Sequence, residues 1–459
     1  MSALLDIELD GRAVQTEPDI PVAPMSGQKV FIETYGCQMN VSDTELMLGI
    51  LKQSGYTSAH RPEDADVIVL NTCAIREHAE ERIRGRLGQL RKLKYRRPDL
   101  IMGVSGCMAK HVSESLMNDA PYVDLVVGPD SYRRLPELIA EARGDSTLDV
   151  RLDRGEYYMD INPLREEGSN AWITIMRGCD KFCTFCIVPY VRGRERSVPA
   201  REIVRQARAA ADAGFREVTL LGQTVNSYRD GTCDFADLLS MIARIDGISR
   251  IRFTSPHPSD FSEKFIEIMA REKKICRFIH LPVQSGSNRV LKAMKRSYTV
   301  EDYLALVDDL RSAMPDLCLS TDIIAGFSGE TQTDFEATLA LMAQVRYDSA
   351  FMFKYSARKG TVAFREMPDT VPEEEKVQRL ETIIAQQNRI SEEINVTYIG
   401  RTLEVLVQGN ARKGEGLAVG KSDGFKTVVF PRKDVADNAL TNVEITQTTL
   451  RTLTGRRVQ

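Results

Sequence analysis

Short apolar runs alternate with longer amphipathic stretches between residues 29 and 150. The apolar runs lie in the segments KVFIETYGC, ADVIVLNTC, LIMGVSGC and VDLVVGP, and the stretches between them include SDTELMLGILKQSG and HAEERIRGRLGQLRKLK. An alternation of strands and helices is typical of a parallel sheet with helices on both faces. The pattern therefore predicts an α/β domain with a doubly wound parallel sheet over residues 28–150.

Three of these runs end in a cysteine, namely Cys37, Cys73 and Cys107. Each follows a predicted strand, and neighbours along the chain are separated by about one strand–helix–strand unit. Because sites in parallel sheets form at the carboxyl ends of the strands, we expect the three thiols to form one cluster. Three buried core cysteines are the alternative. Core positions would not be expected to recur at the same point of three successive units, so a metal site is the favoured interpretation.

The same alternation continues on a larger scale between residues 170 and 365. Six further strands are predicted, in WITIM, EVTLLG, RIRFTS, RFIHLPV, CLSTDIIAGF and SAFMFKYS. Six strand–helix units predict a partial (β/α)6 barrel, whose chemistry would lie in the loops after the strands. The charged helical stretch over residues 366–396 is expected to link the parts of the chain or to pack along the barrel. Together these segments predict a domain over residues 165–396.

The last part of the chain, residues 397–459, consists of short β-branched segments separated by turns. The segments RTLEVLVQG, GLAVGKS, KTVVFP and TNVEITQTTLRTLTG predict a small antiparallel β-barrel. It has ten basic and six acidic side chains, whereas the whole chain has a net charge of −4. Small β-barrels often bind RNA, and this local positive charge agrees with such a function.

Composition narrows the class of protein. The chain has 459 residues, 42% of them apolar and 27% charged, which suits a globular protein of two to four domains. We find no apolar run of about 18 residues, so no membrane span is predicted. The Pro- and acid-containing residues 1–27 predict a disordered lead-in and not a secretory signal. Nine cysteines without a signal indicate the cytoplasm, with thiols kept for metal binding or catalysis.

A second basic region lies between Arg82 and Pro98, where no acidic residue occurs. A solvated helix face is one interpretation. A helix that binds phosphates is at least as well supported, because no acidic partner stands at helical spacing. The basic residues of this segment are Arg82, Arg84, Arg86, Arg91, Lys92, Lys94, Arg96 and Arg97.

The most specific motif is RGCDKFCTFCIVPYVRGRERS, residues 177–197, which places Cys179, Cys183 and Cys186 in the spacing C-x3-C-x2-C after the first strand of the barrel. Zinc usually takes four protein ligands, and no further cysteine or histidine follows nearby. Three thiolates suit a four-iron cluster with one open iron. This spacing, with the aromatic Phe185 before the third cysteine, resembles the radical S-adenosylmethionine superfamily, in which S-adenosylmethionine fills the open position.

The wider chain resembles the methylthiotransferase family of that superfamily. The resemblance rests on ETYGCQMNVSDTE, NTCAIREHAEER, GCMAK, the motif above, HLPVQSGS and TDIIAGFSGET, and covers the chain from about residue 28 to its end. It implies S-adenosylmethionine and two [4Fe-4S] clusters as cofactors. Cys179, Cys183 and Cys186, the radical-cluster cysteines, would hold one cluster. Cys37, Cys73 and Cys107, the auxiliary cysteines, would hold an auxiliary cluster.

The resemblance also implies a set of S-adenosylmethionine contacts and no catalytic residue beyond the cluster ligands. The residues concerned are Phe185, Gln223, Ser255 and Gln284. The implied reaction adds a methylthio group to C2 of N6-isopentenyladenosine in the tRNA anticodon loop. No side chain can act as base on that C–H bond, because it is not acidic, and the cofactor must supply the chemistry.

Further expectations about partners follow from the resemblance. Residues 397–459 would form a TRAM domain that contacts the tRNA anticodon stem-loop, and a flavodoxin or ferredoxin would donate electrons. The enzyme would be a cytoplasmic monomer without membrane contact. Within the family, threonylcarbamoyl adenosine in tRNA and a ribosomal-protein aspartate stay open as substrates.

A non-enzymatic iron–sulfur protein that binds RNA or transfers electrons is the alternative from another class. Such a protein would usually bind each cluster with four cysteines, and the chain offers two sets of three. Three further cysteines match no position of the family, and we interpret them as core or surface thiols. They are Cys233, Cys276 and Cys318.

Overall fold

The computed structural model describes residues 27–73, 77–165 and 168–458, so the lead-in predicted over residues 1–27 lies, apart from Gly27, outside the described residues. The first part of the chain forms a parallel sheet. Its strands are β1 (Lys29–Thr34), β2 (Thr57–Ser58), β3 (Val67–Thr72), β4 (Ile101–Gly106), β5 (Leu125–Val127) and β6 (Thr147–Asp149). Their spatial order is β2-β1-β3-β4-β5-β6. The apolar pattern predicted four of these six, and the short edge strands β2 and β6 were missed.

Helices cover both faces of this sheet, as the alternation predicted. They are α1 (Gln38–Gln53), α2 (Glu77–Arg96), α3 (Cys107–Asp119) and α4 (Leu135–Glu141). Val67 and Val69 of β3 pack with α1 and α4 on one face, whereas Ile68 and Leu70 pack with α2 and α3 on the other. Because β3 is buried on both faces, its first four residues, Val67 to Leu70, are all apolar.

The segment that leads out of this sheet stays packed against it. The Tyr158 hydroxyl donates to the Pro129 carbonyl at 3.0 Å. The backbone N–H of Leu164 donates to the carbonyl of Glu45 in α1 at 2.8 Å. The connection is therefore part of the N-terminal core as far as Leu164.

The second part is an open barrel of six parallel strands. These are β7 (Asn170–Thr174), β10 (Glu217–Leu221), β13 (Arg250–Phe253), β14 (Phe278–His280), β15 (Cys318–Ala325) and β16 (Ser349–Lys354), with two short hairpins, β8 (Met176–Arg177) with β9 (Arg196–Ser197) and β11 (Arg229–Asp230) with β12 (Cys233–Asp234). The order is β7-β10-β13 and β14-β15-β16, joined by a bridge between Ile251 and Ile275. Within the described residues β7 and β16 do not pair with each other. All six predicted strands are present, and the barrel is open, as predicted.

Helices follow the strands of the barrel, and most of them form its outer layer. They are α5 (Val188–Arg192), α6 (Ala200–Asp212), α7 (Phe235–Ala243), α8 (Glu263–Arg271), α9 (Asn288–Ala293), α10 (Val300–Ala313), α11 (Gln332–Val345), α12 (Val362–Glu366) and α13 (Glu373–Val396). Capping boxes begin α7, α10 and α11, because an N-cap oxygen accepts from the third backbone N–H of each helix. Ile383 of α13 enters the main barrel core, so the predicted charged helix packs along the barrel.

The third part is a closed barrel of five strands. They are β17 (Thr402–Asn410), β18 (Leu417–Ser422), β19 (Thr427–Pro431), β20 (Leu440–Thr448) and β21 (Leu453–Val458). The segment TNVEITQTTLRTLTG, one of the four predicted β segments, holds most of β20 and the start of β21. A turn separates the two strands, in which the N–H of Thr449 donates to the carbonyl of Thr452 at 2.8 Å. This small β-barrel was predicted, with one strand fewer.

The five-stranded barrel docks on the amino ends of the open barrel's strands. Arg250, the first residue of β13, donates to the carbonyl of Lys421 at 2.6 Å. Phe425 stacks on Phe278, the first residue of β14, with ring centroids 4.9 Å apart. The Cys318 thiol, at the start of β15, lies 3.3 Å from the Tyr398 hydroxyl. The turn from β18 to β19 thus forms a floor for the open barrel.

No helix in the described ranges is both long enough and apolar enough to span a bilayer.

Candidate metal centres

The structure brings the auxiliary cysteines to one edge of the N-terminal sheet. Cys73 and Cys107 directly follow β3 and β4, and Cys37 is three residues beyond the end of β1. The strands β1, β3 and β4 are neighbours in the sheet. Their carboxyl ends therefore present three thiols together, as the parallel topology predicted.

Cys37 and Cys73 are in direct proximity. A Cβ atom added to Gly36, which has a φ of +128°, would lie 2.5 Å from the Cys73 Cβ, so only glycine lets the two chain segments approach this closely. A hydrogen bond with Cys73, together with the positive charge of Arg192, lowers the pKa of the Cys37 thiol to about 6 despite burial. At Cys37 the thiolate, the form that binds metals, is therefore favoured.

Cys107 begins helix α3 and faces the other domain. The Arg192 Nε donates a hydrogen bond to its Sγ at 3.1 Å. Its neighbours across the domain junction are Ile187 and Val191, which flank the radical-cluster loop. Burial raises the pKa of this thiol, with the Arg192 charge acting in the opposite direction.

The radical-cluster cysteines occupy one closed loop. The β8–β9 hairpin joins its two ends, with Arg177 paired to Arg196. Gly178 has a φ of +80°, and a Cβ atom there would lie 2.1 Å from the carbonyl oxygen of Arg194. The loop between them is therefore fixed at its base by a contact that only glycine allows.

Polar side chains from other strands contact the loop thiols. The Cys179 Sγ lies 3.3 Å from the Thr224 hydroxyl, which follows β10. Arg296, after α9, points its guanidinium at the Cys183 Sγ at 3.4 Å. Burial raises the pKa of Cys186 to about 12, and the nearby Cys183 adds to that effect. The three thiols thus lie close enough at the carboxyl rim of the barrel for the charge of one to affect the pKa of another.

The donor set fits an iron–sulfur cluster better than a single ion. Within residues 27–73, 77–165 and 168–458, no three His, Cys, Asp or Glu side chains converge on one point as a mononuclear site requires. A cluster does not require convergence, because each thiolate binds a different iron. Buried thiols that are neutral without a metal become thiolates when one binds. Two sets of three thiols therefore have suitable chemistry for clusters.

The four residues expected at S-adenosylmethionine all lie beyond the carboxyl ends of strands. The ring of Phe185 packs edge-on against Phe327 with centroids 6.4 Å apart. Gln223 has a buried Oε1 without a hydrogen-bond partner among the described atoms. Ser255 and Gln284 have left-handed backbone, with φ of +55° and +74°. Such conformations in non-glycine residues cluster at ligand sites.

A buried histidine at this rim was not predicted. His257 is only 6% exposed, and its ring packs edge-on against Tyr298 at 5.6 Å. Asn226 donates to its carbonyl at 2.9 Å and accepts from its N–H at 2.7 Å. Burial, with the charges of Arg296 and Lys181, lowers the pKa of His257 to about 2, so the ring is neutral. The segment TSPHP signals a loop after a strand, but it does not reveal this burial.

The lumen of the open barrel contains a group of polar side chains beside an exposed aromatic ring. His280 Nδ1 lies 2.8 Å from the Ser320 hydroxyl, and its Nε2 lies 3.4 Å from an Asp322 carboxylate oxygen. Phe351 on the edge strand β16 is 53% exposed and meets the His280 ring at 5.6 Å. Register pairs Phe351 with Asp322, so both side chains point into the lumen. The spacing of His280, Asp322 and Phe351 in the sequence gives no sign that these side chains lie together.

The two cysteine sites meet at one junction between the domains. The Ser42 hydroxyl of α1 lies 3.1 Å from the Thr174 hydroxyl at the end of β7. His111 Nε2 of α3 lies 2.8 Å from the carbonyl oxygen of Lys359 in the loop after β16. Both contacts join the carboxyl end of the sheet to the carboxyl rim of the barrel. The sites therefore face each other.

The remaining cysteines lie away from both sites. Cys276 and Cys318 are buried at the amino ends of barrel strands, and Cys233 is half-buried in β12. Burial raises the pKa of Cys276 and of Cys318. Such inert thiols match the interpretation as core or surface positions.

The basic segment from Arg82 to Arg97 has acidic partners that its own sequence lacks. They come from other elements, with contacts of 2.8 to 3.0 Å. The pairs are Arg84 with Asp119, Arg86 with Glu33, Lys94 with Asp124 and Arg97 with Asp66. Among the described residues, the exposed Lys92 and Arg96 have no acidic partner. Four of the eight cations are therefore in ion pairs, and Arg82 and Arg91 lie over tyrosine rings, which leaves Lys92 and Arg96 as the described cations available for phosphates.

Two protein-family models match the chain. The one described as Uncharacterized protein family UPF0004 matches residues 29–128, and the one described as Radical SAM superfamily matches residues 173–342. The first covers the strands that carry the auxiliary cysteines. The second covers the C-x3-C-x2-C loop and most of the open barrel.

Similar proteins extend over nearly the whole chain. The tRNA-2-methylthio-N(6)-dimethylallyladenosine synthase of Chloroherpeton thalassium is 48% identical over 430 residues, 93% of this chain and 95% of the relative. That of Parabacteroides distasonis is 46% identical, over 96% of this chain and 98% of the relative. The solved structure of the radical S-adenosylmethionine methyltransferase TsrM from Kitasatospora setae, with cobalamin and [4Fe-4S] cluster bound, has a TM-score of 0.57 at 14% identity, over 90% of this chain and 80% of that one. This last likeness concerns the fold alone.

The open barrel, its cysteine loop and the matching family model define a radical S-adenosylmethionine protein. Within that superfamily, the chain belongs to the family of the tRNA-2-methylthio-N(6)-dimethylallyladenosine synthases. The family predicted from the motifs is thereby confirmed.

Proposed function

We propose that this enzyme adds a methylthio group to C2 of N6-isopentenyladenosine in the anticodon loop of tRNA. The observation that carries the proposal is that two cysteine sites meet at one junction. There Arg192, from the radical-cluster loop, donates a hydrogen bond from its Nε to the Sγ of Cys107, an auxiliary cysteine, at 3.1 Å. Two sites that face each other can deliver sulfur and a radical to one carbon. The names of the relatives favour isopentenyladenosine over threonylcarbamoyl adenosine and over a protein aspartate.

The proposal assigns the parts of the chain to separate tasks. Residues 28–150 would hold the auxiliary cluster, residues 165–396 the radical cluster and S-adenosylmethionine, and residues 397–459 would contact RNA. Bound iron–sulfur clusters and S-adenosylmethionine supply a hydrogen-abstracting radical and a sulfur donor, which no side chain of this protein can replace. The protein binds these groups, orients them and limits the access of water.

The four residues proposed to contact S-adenosylmethionine are chosen because they lie at the carboxyl rim of the barrel. Gln223 precedes Thr224, which touches Cys179, and its buried Oε1 lacks a partner in the described structure. A ligand amino group could donate to that oxygen and remove the cost of leaving it unpaired. Phe185, Ser255 and Gln284 would line the same face.

The target adenosine would enter from the open side of the barrel. The floor formed by Phe425 and Phe278 closes the amino end of the lumen, and the N-terminal domain lies over the carboxyl rim. Phe351 stands at the open edge, with His280 and Asp322 beside it. An exposed ring next to polar groups is suited to stacking and hydrogen bonding of an extruded base.

Three expectations about the setting of the reaction remain predictions. An external reductant is needed to start a radical reaction, and a flavodoxin or ferredoxin is proposed for that role. We also propose that the enzyme acts as a monomer and works in the cytoplasm, where reduced thiols persist.

Replacement of the radical-cluster cysteines by alanine should reduce iron from about eight to about four per chain and abolish cleavage of S-adenosylmethionine. Iron analysis and chromatography of 5′-deoxyadenosine would measure both effects. Cys233→Ala is the matched control and should keep all the iron, because that thiol lies away from both sites. Full iron content with normal cleavage in the triple variant would refute the assignment.

Replacement of the auxiliary cysteines by alanine should separate radical formation from sulfur transfer. The variant should retain about four irons and still produce 5′-deoxyadenosine, but should yield no methylthiolated RNA. Mass spectrometry of an isopentenylated anticodon stem-loop would detect the product. Methylthiolated product from this variant would show that sulfur is delivered elsewhere.

Phe351→Ala should raise the KM for the anticodon stem-loop, because stacking of a base on an aromatic ring contributes about 1–3 kcal/mol, roughly 5- to 150-fold. Phe351→Tyr keeps the ring and should retain wild-type KM. The measurement is steady-state kinetics at a fixed salt concentration. Equal KM values for the alanine and tyrosine variants would exclude a stacking role at this edge.

Replacement of Lys92 and Arg96 by glutamine should weaken tRNA binding and reduce its salt dependence. Each lost phosphate contact lowers the slope of log K against log salt by roughly 0.7–0.9. Lys52→Gln with Arg143→Gln is the matched control, because these two lie on α1 and just beyond α4, on the opposite face of the sheet. The salt slope should fall in the Lys92 and Arg96 variant and stay at the wild-type value in the control. An unchanged slope in the Lys92 and Arg96 variant would show that α2 is not part of the RNA site.

Neutralisation of exposed cations on the five-stranded barrel, Arg412, Lys413 and Lys433, tests the other proposed RNA contact. This design leaves Arg250 and Arg252 paired with the floor, which removal of residues 397–459 would not. Binding of tRNA should weaken while the iron content stays at the wild-type level. Wild-type affinity would mean that the barrel's basic surface does not contact RNA.

A further inference from the structure

One buried carboxylate joins the two cysteine sites. Asp43 lies on α1, six residues beyond Cys37, and is fully buried. Its Oδ2 accepts from Arg192 Nη2 at 2.7 Å, and its Oδ1 lies 3.0 Å from Arg177 Nη2. Both arginines are also buried, at 3% and 4% exposure. Three charged groups removed from water must depend on one another, because an unpaired charge would be very costly there.

The two arginines bracket the radical-cluster loop in sequence. Arg177 stands two residues before Cys179, and Arg192 stands six residues after Cys186. Both sides of the cysteine motif are therefore attached to one carboxylate on α1, the helix that directly follows Cys37. The Asp43 carboxylate thus fixes the position of one cysteine site relative to the other.

Arg192 also reaches the auxiliary site itself. Its Nε donates to the Cys107 Sγ at 3.1 Å while Nη2 is held by Asp43. The buried Nη1 of Arg192 has no hydrogen-bond partner among the described atoms, and neither do Nε and Nη1 of Arg177. Two positive charges face one carboxylate, so the junction has an excess of positive charge next to thiols that a cluster would hold as thiolates.

We propose that Arg192 is a positioning residue that sets the reduction potential of the auxiliary cluster from the radical-cluster loop, with Asp43 and Arg177 as its support. The inference rests on the proposed function, because it requires an auxiliary cluster on Cys107. It goes further by assigning the control of that cluster to a residue of the other domain. Hydrogen bonds to ligand sulfur and nearby positive charge both favour the reduced, more negative cluster.

The test is an EPR-monitored redox titration of full-length enzyme with reconstituted clusters. At a fixed potential near the wild-type midpoint, Arg192→Gln should lower the ratio of reduced to oxidised auxiliary cluster about tenfold, that is a negative shift of about 59 mV for one electron. Arg192→Lys keeps the charge but loses the Nε donor to Cys107, so its midpoint should fall by a smaller but measurable amount. Radical-cluster signals should titrate as in the wild type. The auxiliary signal is assigned in the variant that lacks the radical-cluster cysteines.

Arg194→Gln is the matched control. It changes an arginine two residues away on the same loop, 54% exposed and paired with Asp180, and should leave both potentials unchanged. A purely structural role for Arg192 would alter stability without moving the midpoint of a cluster that still forms.

The outcomes separate the inference from the proposed function. Wild-type enzyme with about four irons would overturn the proposed function before Arg192 is considered. About eight irons in both proteins and the same auxiliary midpoint in Arg192→Gln would overturn only the inference. If Arg192→Gln loses the auxiliary irons, Arg192→Lys decides: a lowered midpoint supports the inference, and an unchanged midpoint overturns it.

Discussion

The arrangement of this protein depends on the ion pairs of one buried carboxylate. Asp43 accepts contacts from Arg177 and Arg192, which lie on either side of the C-x3-C-x2-C loop. Removal of one partner from a buried ion pair typically costs about 3–5 kcal/mol, because the remaining charge stays uncompensated. The N-terminal sheet and the open barrel are therefore joined by a contact that tolerates little displacement. The proposed function, in which two clusters act on one substrate, requires such a fixed separation.

Parallel β-topology explains why both sites can meet there at all. In each α/β domain the candidate cluster ligands follow the carboxyl ends of strands, so they gather at one edge of each domain. The domains pack with these edges together, through Ser42 with Thr174 and through His111 with the loop after β16. The inert amino ends of the barrel strands are left for the five-stranded barrel. Function and support are thus placed at opposite ends of the same strands.

Much of this organisation could be predicted from local patterns. Apolar runs that end in Cys37, Cys73 and Cys107 indicated both the strands and their shared edge, because strand period and parallel connection are local properties. The spacing of Cys179, Cys183 and Cys186 was equally informative.

The contacts that could not be predicted join residues far apart in sequence. Asp43 is separated from Arg192 by 149 positions, and nothing in its neighbourhood identifies its partner. The acidic partners of Arg86 and Lys94 also come from other elements, so the absence of acids within one helix gave an incomplete prediction. Edge strands of two or three residues are too short to produce an apolar pattern.

The floor of the open barrel has a consequence for the size of the substrate. β15 starts at the floor with Cys318, and its eight residues span about 23 Å toward the carboxyl rim, at about 3.3 Å for each of the seven steps. An RNA that touches the five-stranded barrel and places a base on Phe351 must bridge part of that length along the open side. Fragments too short to reach both ends would lose one of the two contacts whatever their sequence. The enzyme would then select its RNA partly by length, that is, by the distance between a backbone contact and an extruded base.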